Sequence, residues 1–376
     1  MQPVAITSIG MACSLGLDSA CACAAARAGL VRMGELNTLN YALEPDFGPE
    51  GLDGPALLAT HMLPVTGGGT TGIAKLLALA RPALSELLLN MRLAPAQWAR
   101  TALLINVSDG YFQSRFEVPA ETAADDAPGY AARWEQIARE LPRRLCAEFG
   151  LPIENGRRSI LLGGHAGFAD LLLHADHLLR AGEIDRCIVG AVESCLDPQA
   201  ILAYARAGAL KCGTNPAGFI PGEAAAFALI ERPEDAPSGR VALTVKAVSQ
   251  ASDVPYFQVD SAPEGRGLAS CLAQILTATQ SMGSPEVIVT DLNGSERRAA
   301  DWGGALVQVR AERSDFNFET WLPARSFGEI GAASGGIGVC QLFRAVDRGY
   351  APRNGALIAL CSEDGARSVI HLRSSN

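Results

Sequence analysis

The sequence predicts an α/β fold in which strands and helices alternate through two halves of the chain. Three observations lead there. Short apolar runs suited to buried strands, such as 101–108, 185–194 and 286–292, are separated by longer stretches with helical apolar spacing. The pattern pauses at "RPEDAPSGR" (232–240), rich in Pro, Gly, Ser and charge, and then restarts. The material for a large core is present, since 48% of the residues are hydrophobic and only 19% charged. A length of 376 residues suits two domains or one large α/β domain. We place the halves at 1–235 and 236–376, with an insertion at 113–135 inside the first. Alternating β and α in both halves implies packed layers.

Each element follows from local pattern. Residues 4–16 alternate apolar and small side chains and turn at glycine, as a strand does before a loop. Residues 17–29 read as a helix with Asp18 or Ser19 at its N-cap and Gly29 at its end. The apolar pattern of 69–91 is helical, with a bend or restart at Pro82. Residues 101–108 form a buried strand. The stretch 117–134 is acidic and rich in breakers, and helix resumes after it. Strand 159–162 runs into the turn "GGHAGF" (163–168) and a helix over 169–181. On that helix Phe168, Leu171, Leu172, Ala175, Leu178 and Leu179 share one apolar stripe. Asp170, His174 and His177 fall on another face, which we read as polar surface. A strand follows at 185–194. The second half offers a strand at 241–249, a helix at 267–282, a strand at 286–292 and a helix at 333–352. It closes with two strands over 355–372, joined by a turn at Asp364-Gly365.

Composition excludes several roles. A net charge of −9 disfavours a general nucleic-acid or anionic-membrane surface, both of which attract basic patches. No run of about 20 apolar residues is present, so no membrane span is expected. The N-terminus lacks a basic segment, so no secretory signal is expected, and the ten cysteines read as reduced core residues of a cytoplasmic protein. Cys21 and Cys23 point to different faces of their helix, and no second pair completes a metal site. We expect neither metal nor cofactor.

The segment "GFIPGEAAAFALIE" (218–231) resembles the corresponding stretch of β-ketoacyl synthases, the condensing enzymes of fatty-acid and polyketide assembly. Other stretches agree in order: "VAITSIGMACSLG" with the family's opening strand, "LLRAGEIDRCIVGAVES" with the helix end and strand after its nucleophile, "GEIGAASGGIG" with the segment around its last catalytic histidine, and the final hairpin with its closing strands. Coverage is nearly the whole chain, and weaker across 40–135. The resemblance implies a thiolase fold, a five-layer α-β-α-β-α sandwich of two similar halves. It also implies a dimer formed through the strand before the nucleophile, here 159–162.

The resemblance places the family's cysteine nucleophile at His165, counting back from "RAGE" (180–183). It places the two catalytic histidines near Asp291 and at Glu329. The five histidines are 61, 165, 174, 177 and 371, so none lies between 178 and 370, where both family histidines belong. All three catalytic positions are therefore changed, and no catalytic set is assigned. A new His-Asp-Glu constellation with His165 as general base stays open beside a closed, internally paired cluster. Cys195 and Cys212 read as structural thiols. Arg297 and Arg298, in "DLNGSERRAADW" (291–302), read as a turn and solvated helix start, with a binding role as the alternative.

Three functions fit. The favoured one is an inactive ketosynthase-like subunit acting as a dimer partner, similar to a chain-length factor. It would pair with itself or with a ketosynthase-like chain, with an acyl carrier protein as a further partner. The others are a thiolase-fold adaptor or chaperone, for example for a secretion effector, and an active acyltransferase with altered residues.

Overall fold

A computed structural model of the chain describes residues 1–37, 57–64, 70–91, 93–116, 130–212, 215–236, 242–257 and 262–375. The expected insertion at 113–135 and the linker at 232–240 lie partly outside the described residues.

The first half contributes strands β1 (Val4–Cys13), β2 (Gly34–Asn37), β3 (Leu57–Thr60), β4 (Thr101–Val107), β5 (Arg158–Leu162), β6 (Arg186–Ser194) and β7 (Glu223–Glu231). Its helices are α1 (Ser19–Arg27), α2 (Gly72–Met91), α3 (Tyr111–Arg115), α4 (Tyr130–Glu148), α5 (Gly167–Arg180) and α6 (Pro198–Arg206). The second half contributes β8 (Leu243–Ser252), β9 (Val287–Thr290), β10 (Glu319–Trp321), β11 (Ala356–Cys361) and β12 (Ala366–Ser374). Its helices are α7 (Arg266–Ala278), α8 (Glu296–Glu312), α9 (Ala324–Phe327) and α10 (Ser334–Asp347).

Ten strands run in the order β10-β9-β11-β12-β8-β1-β7-β6-β4-β5. They form two groups of five with the same plan. In each, the first strand pairs antiparallel with the fifth and the fifth antiparallel with the fourth. The fourth then pairs parallel with the second, and the second parallel with the third. The groups meet where Val4, Ala5 and Ile6 of β1 pair with Val245, Thr244 and Leu243 of β8. Helices α5 and α10 touch strands of both groups and form the middle layer. Helices α2 and α4 cover the outer face of the first group, and α7 and α8 that of the second. The result is the expected five layers, with one apolar cluster in each interior space: around Phe168 and Ile337 centrally, and around Leu84 and Leu272 on the two sides.

Local chemistry explains the elements that matter for the site. Helix α5 buries Phe168, Leu171, Leu172, Ala175 and Leu179, while His174 and His177 stay exposed. Removing one such leucine side chain would cost about 2–5 kcal/mol through lost burial and the cavity left behind. Asp18 caps α1 by accepting from the Cys21 amide at 2.7 Å. Cys21 is exposed and Cys23 buried, so the two thiols do diverge. Helix α2 runs unbroken through Pro82. Strand β5 is the last strand of its group, and Leu162 at its end is 41% exposed. Among the described residues no helix is long and apolar enough to cross a membrane.

Candidate functional site

Chain order brings three strand ends of each half to one place. In the first half they are Asp109 after β4, His165 after β5 and Glu193 near the end of β6. In the second half the topologically equivalent residues are Asp291 after β9, Glu329 after β10 and Glu363 after β11. All six meet at the C-terminal strand ends, where α/β sheets usually build their sites.

His165 is carried by a glycine turn. Gly164 has φ +53°, and a Cβ there would stand 2.5 Å from Asp109 Oδ2, so only glycine allows the turn to sit on Asp109. Asn106 on β4 ties this turn to the opposite half. Its Nδ2 donates to the Gly164 carbonyl at 2.7 Å and the Ala332 carbonyl at 3.1 Å. Ser362 Oγ accepts from the Ala166 amide at 2.9 Å and donates to the Gly163 carbonyl at 3.1 Å.

The structure brings His165, Asp291 and Glu329 together. The imidazole is 3% exposed. Its Nδ1 lies 3.1 Å from Asp291 Oδ2 and its Nε2 lies 2.9 Å from Glu329 Oε1. Both are ion-pair contacts of the protonated imidazole. Glu363 stands 3.9 Å from Nε2.

Arg298 is the residue that the sequence reading misplaced. It is no solvated helix start: it is 2% exposed and lies under the turn after β11. Its Nη1 donates to Asp291 Oδ2 at 2.7 Å and to the Cys361 carbonyl, and its Nη2 donates to Glu363. A position in the first turn of a helix does not reveal which loop folds over it, so sequence pattern alone favoured the solvated reading. Asn293 was also missed. Its Nδ2 donates to Glu329 Oε2, whose other oxygen accepts from the Gly331 amide at 2.6 Å. Behind Arg298, Asp301 accepts from Arg367 Nε at 2.8 Å and from Tyr256 OH at 2.7 Å.

These contacts set the charges. Burial is the strongest influence on His165 and pulls its pKa down, and Arg298 pulls the same way. Glu329, Glu363 and Asp291 outweigh them and hold it well above the usual histidine range. Burial pushes Glu329 up, but His165, Arg298 and Asn293 bring it down to about 2. Burial likewise opposes ionisation of Asp291, and Arg298 and His165 hold it below the usual carboxylate range. The cluster is an imidazolium and a guanidinium locked among carboxylates. A protonated imidazole has no free nitrogen lone pair, so in this state it can neither take a proton as a base nor accept an acyl group.

Beside it lies a cavity lined by Asp109, His165, Glu193, Cys195, Tyr204 and Glu329. Its free space is about 20 Å³, room for a water or two and far less than an acyl chain needs. Burial, then Glu193 and Glu329, push the Cys195 thiol well above its ordinary pKa, so it stays protonated and unreactive. Cys212 is half-buried and away from this cavity. Among the described residues, no group of three or more His, Cys, Asp or Glu is arranged to hold a metal ion.

Comparison with known proteins agrees with the architecture. The structure of a type II polyketide synthase acyl carrier protein with its ketosynthase (AntDE:AntF) superimposes with a TM-score of 0.73 at 16% identity over 100% of both chains. The ishigamide ketosynthase/chain length factor gives 0.69 at 19% identity over 99% of both chains. The oxazolomycin ketosynthase domain of Streptomyces albus gives 0.75 at 14% identity, covering 100% of this chain and 75% of that one. These establish the thiolase fold. Residues 169–236 match the model of the β-ketoacyl synthase N-terminal domain. Over this segment the chain is similar to β-ketoacyl synthases. A 92-residue stretch of the chain is 32% identical to the ketoacyl synthase beta subunit of the tetracenomycin polyketide synthase from Streptomyces glaucescens. That stretch spans 22% of each protein.

Proposed function

We propose that the protein is a non-condensing ketosynthase-like subunit that works as a dimer partner, in the manner of a chain-length factor. One observation carries this reading. The turn where a condensing enzyme would present its thiol holds His165 instead, buried and ion-paired to Asp291 and Glu329. The equivalence of these three positions to the family's catalytic residues is part of the proposal. Likeness to a ketoacyl synthase beta subunit and to a ketosynthase/chain length factor supports the partner role. Strand β5 is an edge of the ten-stranded sheet among the described residues, and such edges favour pairing with another chain. The partner is a ketosynthase-like chain or a second copy, with an acyl carrier protein as the substrate-bearing visitor.

The test is incubation of the purified chain with labelled acyl and malonyl carrier thioesters, followed by intact-mass and product analysis. We expect no acyl-enzyme and no condensation from the chain alone. Covalent acylation, or a product abolished by His165→Ala, would instead establish an altered acyltransferase. Light scattering should report a dimer, alone or with a co-expressed ketosynthase. A stable monomer at micromolar concentration in both settings would count against the partner role.

A further inference from the structure

We propose that the cavity beside His165 is a two-proton store, in which the carboxyls of Asp109 and Glu193 are held protonated and brace the turns that hold His165 and Glu329, and that losing these protons loosens the seam between the halves. This does not rest on the partner reading and holds whether or not the chain condenses anything.

The geometry comes first. Asp109 lies directly under the His165 turn, as the 2.5 Å approach to a Cβ at Gly164 shows. Glu193 lies under the turn that follows Glu329: a Cβ at Gly331 would meet its Cγ at 2.8 Å and its Oε2 at 3.1 Å. Both carboxyls wall the same cavity. A second cavity shares Glu193 and Gln113 with it, so Glu193 stands between the two.

The surrounding charges oppose ionisation. From the turn after β11, Glu363 and Asp364 face Asp109, and Glu193 and Asp109 face each other. His165 faces both, but it already contacts Asp291 and Glu329, and Arg298 on α8 already contacts Asp291 and Glu363. On the second cavity, Lys75 of α2 lies 3.1 Å from Glu223, and Arg133 of α4 lies 2.8 Å from Asp197. Cys195 and Tyr204 add only neutral groups, since burial keeps both protonated. Two more negative charges would therefore be added to a buried site already rich in carboxylate. Burial, then Glu363, push Asp109 up to about 7, and burial, then Asp109, push Glu193 up to about 8. Both values exceed those of an unfolded chain. The folded state thus holds these protons more tightly, so their stabilisation is full below the unfolded carboxyl value of about 4 and is lost as pH rises from there through the folded values.

Infrared spectroscopy of the full chain reads this directly through the carbonyl stretch of protonated carboxylic acids. We expect a band at pH 6 that disappears by about pH 9, and the Asp109→Asn/Glu193→Gln variant should lack the titrating amplitude. The contribution of these two protons to the wild-type melting temperature should be lost between about pH 4 and about pH 8, and the melting temperature of the variant should fall less over that range, with the remaining fall due to His165. If the double variant does not fold, each single variant should remove part of the band. A wild-type chain with no titrating band, or variants that leave it unchanged, would overturn the proposal.

Discussion

The two halves place acidic or basic side chains at the same three strand ends, yet shift their carboxyl pKa values in opposite directions. In the second half, Arg298 contacts both Asp291 and Glu363, and His165 contacts Glu329. Asp291 and Glu329 are held below the usual carboxylate range. In the first half the equivalent Asp109 and Glu193 are pushed up to about 7 and about 8. Glu329 is brought down first by His165, and for Asp291 the difference traces to the helix after the second strand. In the second half it is α8, which delivers an arginine into the seam. In the first half it is α3, five residues long, which presents Gln113 to the cavity. One topological position thus makes either an ion pair or a proton store, according to whether a cation is mounted opposite it.

The largest break in this comparison is Arg298→Ala. It leaves Asp291 and Glu363 without their shared guanidinium, and loss of one partner of a buried ion pair costs about 3–5 kcal/mol. Denaturant unfolding would measure this. Adding Asp291→Asn should return part of the loss, because it removes one stranded charge, and a strictly additive double variant would refute the coupling. His165→Ala should cost less, about 1–3 kcal/mol, since Glu329 keeps its bonds from Gly331 and Asn293. An unchanged melting temperature would show that the imidazole is not part of the structural cluster. The smallest effect sharpens the contrast. Gln113→Arg would mount a cation in the first half, and the loss of the carboxylic-acid band should move down by about one pH unit.

Much of the fold was legible because it depends on short-range pattern. The 3.6-residue stripe of α5 and the Asp364-Gly365 hairpin appear where periodicity and turn chemistry put them. His165, Asp291 and Glu329 came together as the ordered family motifs implied. Elements without such signals were harder. Helix α6 and the short strand β10 went unread, because nine residues and three residues respectively carry too little periodicity. Arg298 was read on the wrong side of the surface.

The sequence by itself determined the alternation of strand and helix, the glycine turn under His165 and the chemical types at the six strand ends. Each is a property of a few neighbouring residues, set by sterics, spacing and side-chain chemistry. Only the tertiary structure decided which of those groups carry charge. A pKa in a buried site depends on the distance to every other charge and on the exclusion of water. For His165 and Asp109 the strongest of those charges come from segments more than 120 residues away along the chain, the turns after β10 and β11 and the start of α8.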